Sequence, residues 1–143
     1  MNKTITTIAF ALLSFVAIAQ KATWKEMNDF HTVMAKTFHP SEEGNLQPVK
    51  DSASVLVAKA TAWQKSKTPQ GYDAKVAAPI LEKLVAKCII IQKAVAEKKS
   101  DEELKRLIAG AHEIFHEIME KCVKDGDMHS IIFAVPKNIQ EPA

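Results

Sequence analysis

Four of the five histidines in this chain stand where imidazole chemistry is available to them. His112 and His116 are four residues apart, and residues four apart on a helix are neighbours on one surface. His31 and His39 lie eight apart in an earlier segment. Neutral imidazole is the commonest side-chain ligand for zinc, copper and nickel. The set therefore reads as a transition-metal site built from His31, His112 and His116, with His39 or a glutamate as fourth ligand. Met27, Met34 and Met119 would add thioether donors if the ion is copper(I). His129, in the tail, is given no ligand role.

His112-Glu113-Ile114-Phe115-His116 also satisfies the H-E-x-x-H pattern, in which two His hold zinc and the Glu is the general base of a metalloprotease. The pattern is short, no H-x-x-G-x-x-H extension follows, and no strand pattern promises a sheet to hold a peptide. Glu113 and His116 form half of a carboxylate-bridged di-iron motif, but a second Glu-x-x-His is lacking. Gly-rich phosphate loops and the G-x-S-x-G nucleophile elbow are absent. The expectation is a binding protein and not an enzyme.

These side chains need helices to position them. Thr23-Trp24-Lys25-Glu26 has the form of a capping box, and the stripe Trp24, Met27, His31, Met34 and Phe38 follows at helical spacing. It places His31 on the core-facing side, and His39-Pro40 is expected to end the helix, because proline disfavours helix in the residue before it. A second stripe runs Leu46, Val49, Ala53, Leu56, Ala60 and Trp63, with Pro48 suited to the first turn and a stop near Thr68-Pro69. Asp73 is the candidate cap of a third helix, striped by Leu81, Leu84, Cys88, Ile91 and Val95. Pro79 leaves two readings of its start: a beginning at Pro79, or a kinked first turn. Ser100-Asp101-Glu102-Glu103 is a second capping box, opening a helix with Leu104, Leu107, Ala111, Ile114 and Ile118 on one face and ending at Asp125-Gly126.

Four amphipathic helices joined by short loops predict an all-α fold, an antiparallel up-down-up-down four-helix bundle. First and last helices are then neighbours. Matching Thr23 against about Val123 brings His31 level with about Phe115, close to the imidazoles of the last helix. On that helix, at about 100° per residue, His112 and His116 lie about 90° and 130° from the centre of the apolar seam, so they flank the core.

The rest of the chain bounds the setting. A length of 143 residues, 47% apolar and 25% charged, fits one globular domain. Nineteen basic and seventeen acidic side chains give a net charge of +2, without the one-sided excess of a nucleic-acid binder. Lys3, the apolar run from Ile8 and the small-x-small Ala17-Ile18-Ala19 have the form of a secretory signal peptide over residues 1–19. The run is too short to span a membrane. The expectation is a periplasmic or secreted protein, free of the membrane once the signal is removed, with the bundle over residues 20–127 and a C-terminal tail over 128–143. Export permits disulfides, but in an antiparallel pair of helices Cys88 and Cys122 would stand about 18 Å apart along the axis, beyond bonding reach. Cys88 reads as a buried small apolar residue, and Cys122 as the same, a free thiol or an intermolecular link.

An exported four-helix bundle with Met27, His31 and Met34 in its first helix and His112 and His116 in its last resembles the cytochrome b562 and cytochrome c′ superfamily, over about residues 23–122. The resemblance implies a haem between first and last helices, held by Met27 or Met34 with His112 or His116 as axial ligands, and a role in electron transfer or haem storage. Cytochrome c′ attaches its haem through C-x-x-C-H near the end of the last helix. Here Cys122-Val123-Lys124-Asp125-Gly126 stands in that place, so the haem implied is noncovalent b-type haem. Three functions follow as alternatives: a metal-binding protein using His31, His39, His112 and His116, a b-type haem protein, and an interaction or chaperone module whose histidines only pack.

Overall fold

The computed structural model describes residues 23–123. The expected signal peptide and the tail lie outside the described residues. Four helices follow in order, α1 (Lys25–Glu42), α2 (Gln47–Lys65), α3 (Ala74–Ala96) and α4 (Asp101–Lys121), and no strand occurs among the described residues. Each packs on the next, and α1 also packs on α4, which closes an antiparallel up-down-up-down bundle. None of these helices is long and apolar enough to cross a membrane.

The stripes expected on α2 bury completely: Leu46, Val49, Ala53, Leu56, Ala60 and Trp63 all lie in the core. On α3, Leu81, Leu84, Cys88 and Ile91 are buried, and Ala94 takes the place expected of Val95, which packs at the edge. On α4, Leu104, Ala111, Ile114 and Ile118 are joined by Ile108 and Phe115, while Leu107 is partly buried. A chain of aromatic contacts ties one end of the bundle together. Trp24 meets Trp63 edge to face at 5.6 Å and Tyr72 at 5.1 Å, and Phe30 and Phe115 both pack on Trp63. Indole Nε1 of Trp24 donates to Ser66 Oγ at 2.7 Å, which pins the start of α1 to the end of α2. The turn before α3 is pinned to the end of α4 by the Asp73 N–H donating to the Cys122 carbonyl at 2.7 Å.

Helix α1 departs from its expected form in three ways. Thr23 is not the cap, since Trp24 holds that position with no side-chain bond to the first turn. The buried face is Met27, Phe30, Met34, Thr37 and Ser41, rotated from the stripe read through His31 and Phe38. His31 is only half-buried. The reason lies in the two hydroxyls. Thr37 Oγ1 donates to the carbonyls of Val33 and Met34, and Ser41 Oγ to that of Phe38. With its hydrogen bond made within the helix, a small polar residue tolerates burial. Finally, α1 continues through Pro40. Proline forfeits one intrahelical bond but leaves the last turn intact, and the stop is a Schellman motif around Gly44 (φ +88°). There the Asn45 N–H reaches the Pro40 carbonyl at 2.9 Å and the Gly44 N–H that of Ser41 at 3.1 Å.

The other helix ends follow their caps more closely. Asp73 accepts from the N–H groups of Lys75 and Val76, so α3 starts at Ala74 and carries Pro79 inside it. Ser100 accepts from the Glu103 N–H at 3.2 Å. Helix α2 stops at Lys65, short of Thr68-Pro69, and α4 stops at Lys121, short of Asp125-Gly126. Both cysteines are free and buried, and burial pushes the Cys88 thiol up to about 12 and the Cys122 thiol up to about 11.

Candidate metal centre

Helix geometry lays two stripes against each other where α1 meets α4. At 100° per residue, His31, Phe38, His39 and Glu42 fall within about 100° of arc on α1, and Lys105, His112, Phe115 and His116 within a similar arc on α4. The two stripes meet in antiparallel register. His31 stacks on Phe115 with ring centroids 4.8 Å apart and planes 1° from parallel. One level along, Phe38 stacks on His112 at 3.9 Å and 13°. At the far end Lys105 Nζ donates to the Glu42 carbonyl at 3.0 Å. The expected pairing of His31 with the level of Phe115 is the observed one.

The imidazoles gather around His112. Its Nε2 lies 3.2 Å from Nε2 of His116, one ring donating to the other, with centroids 4.5 Å apart and planes nearly perpendicular. The His39 ring centroid is 6.4 Å from that of His112. His39 Nδ1 lies 3.2 Å from a carboxylate oxygen of Glu42. His31 and His112 are partly buried, whereas His39 and His116 are exposed. The cluster thus opens to solvent from a half-dry floor of aromatic rings.

Electrostatics keeps two of these rings neutral. Burial holds His112 well below the usual imidazole range, at about 4, and His116, His39 and His31 push it the same way while Glu42 opposes them. His31 is lowered too, by burial first and then by His116 and His39. A neutral imidazole keeps a lone pair for an electrophile, and a metal ligand must be deprotonated.

The separation of the two nitrogens is close to that of two ligands on one ion. Two nitrogens on one tetrahedral zinc, each about 2.0–2.1 Å from it, stand about 3.3–3.4 Å apart. The Nε2 atoms of His112 and His116 are 3.2 Å apart, within about 0.2 Å of that separation. Among the described residues no three His, Cys, Asp or Glu side chains already converge on one point. The structure brings His112 and His116 together, sets His39 beside them and leaves His31 one level away on Phe115.

Three other expectations find their places. Met27 and Met34 are buried in the core, and Phe30, Phe38 and Phe115 fill the seam between α1 and α4. A haem would enter there only by displacing these rings. Met119 packs at the core's edge. Glu113, the would-be general base, lines an open cleft between α3 and α4, beside Lys83, Lys87 and Gly110. Sequence reasoning did not single out Glu42, because a helix ended at Pro40 hides its i, i+3 relation to His39. The family models, the curated proteins and the solved structures with which the chain was compared contain no match to it.

Proposed function

We propose that this protein is an exported, non-enzymatic four-helix bundle that binds one zinc, copper or nickel ion at the seam between α1 and α4. His112 and His116 are the primary ligands, His39 is the third, and His31 lies next to the site as a neutral imidazole on Phe115. The observation that carries this reading is the Nε2-to-Nε2 separation of 3.2 Å in a pair that includes the strongly neutral His112. The exposed His39 ring, centred 6.4 Å from that of His112, supplies the third ligand, and water fills the open position. Solvent access from one side gives the ion its path in and out.

Titration with zinc, copper(II) and nickel against a competing chelator tests this on the untagged mature protein. His112→Ala and His116→Ala should each weaken binding of the preferred ion by at least about 10-fold, with the helical circular dichroism unchanged. Binding as tight as the parent's in both variants would overturn the site. A Soret band on haem titration, lost when Met27 or Met34 is substituted together with His112 or His116, would move the function to b-type haem. Thermal stability unmoved by every metal and by haem would leave an interaction module.

A further inference from the structure

We infer that Glu42 is the positioning residue of this cluster, fixing His39 as the Nδ1–H tautomer and so leaving its Nε2 with a lone pair beside the α1–α4 seam. The inference rests on the metal reading above only for what the lone pair then binds. The geometry itself is local. A carboxylate is an acceptor, so across the 3.2 Å contact His39 Nδ1 must be the donor. In a neutral ring the proton is then spent on Nδ1, and Nε2 is left as an acceptor or ligand. A histidine side chain free in water prefers the opposite tautomer, with the proton on Nε2. Glu42 therefore reverses a default.

Three features hold the Glu42 backbone in place. The unbroken turn through Pro40 sets residues 39 and 42 on one face, and the Schellman motif at Gly44 ends the helix only after Glu42. Lys105 Nζ, reaching over from α4, grips the Glu42 carbonyl at 3.0 Å. The carboxylate also lies within electrostatic reach of His112. A carboxylate behind a ligating imidazole orients the ring and raises its basicity, and loss of such a partner costs about 10–100-fold in metal affinity.

Nitrogen-15 chemical shifts of the imidazoles, recorded above pH 7.5 on the metal-free protein, read the tautomer directly. His39 should be mainly Nδ1–H in the parent and revert to Nε2–H in Glu42→Ala. Glu42→Gln, whose amide oxygen still accepts, should keep the parent's tautomer, and Glu43→Ala should change nothing. The Glu42 and His39 side chains are 54% and 56% exposed, so these variants keep the fold. Zinc affinity should then fall by about 10-fold in Glu42→Ala and by less in Glu42→Gln. A parent His39 that is mainly Nε2–H, or an Nδ1–H tautomer that survives Glu42→Ala, would overturn the inference. So would equal loss of affinity in Glu42→Gln and Glu42→Ala, which would make the carboxylate a charge and not a positioner. The expected tautomer switch without zinc binding by the parent would support the role of Glu42 and sink the metal reading alone.

Discussion

At the scale of single residues, the depressed imidazoles make stability depend on pH in a defined window. His112 titrates at about 4 in the folded chain against an ordinary value of 6.5, because burial and neighbouring imidazoles disfavour its charged form. Between those values the unfolded chain binds a proton that the folded chain refuses, so acid favours unfolding. The contribution is fully present above about pH 6.5 and is lost as the pH falls toward 4, and His31 acts in the same direction. Asp29 and Glu117, held down by Lys25 and by Lys121 and Lys83, give up their stabilisation only below their ordinary values of 3.8 and 4.5. The urea midpoint of the metal-free protein should therefore drop between pH 7 and pH 4.5, ahead of any carboxylate. His112→Gln, which cannot titrate, should flatten that drop, and an equally steep drop in the variant would refute the assignment to His112.

At the scale of elements, helix ends carry the information that local patterns conceal. Helix α3 closes with the same motif as α1: the Lys99 N–H donates to the Ala94 carbonyl and the Lys98 N–H to that of Val95, both at 3.0 Å. Gly44 serves the left-handed position at the end of α1, but Lys98 must adopt φ +54° with a side chain. A left-handed non-glycine residue costs about 1–2 kcal/mol, and glycine gives back about 0.5–1 kcal/mol in chain entropy. Lys98→Gly should stabilise the bundle by about 0.5–1 kcal/mol in urea unfolding, and a loss of stability would refute the strain. The same contrast explains what was legible in advance. Apolar spacing announced α2, α3 and α4, because their buried faces are made wholly of apolar residues at helical spacing. Helix α1 was misread by a rotation, since its face is completed by Thr37 and Ser41, whose burial depends on bonds to their own helix. It was also ended too early, since the stop is set by the left-handed Gly44 and not by Pro40. Both errors fell on the helix that carries His31, His39 and Glu42, so the nearness of His112 to His116 was legible, whereas the place of His39 ahead of His31 and its contact with Glu42 were not.

At the scale of the whole molecule, the aromatic end of the bundle joins the helices, and its two tryptophans are satisfied unequally. Trp24 and Trp63 are both fully buried. The Trp24 indole N–H is bonded to Ser66, whereas that of Trp63 has no acceptor among the described residues. Replacing either ring by phenylalanine removes about 40 Å³ of side chain, worth about 1 kcal/mol as residual cavity. At Trp24 the change also deletes a buried hydrogen bond, a further loss of about 1 kcal/mol. At Trp63 it deletes an unpaired buried donor whose desolvation costs about 1–3 kcal/mol, which offsets the cavity. Trp24→Phe should therefore destabilise by about 2 kcal/mol, with Trp63→Phe near neutral or mildly stabilising in the same urea experiment. The opposite order would mean that the Trp63 N–H is satisfied in solution by water. Because Trp63 packs on Phe115, and Phe115 in turn stacks on His31, the Trp63 variant carries a second readout. If this aromatic floor holds the imidazoles in register, Trp63→Phe should loosen metal binding even where it leaves the bundle as stable as before.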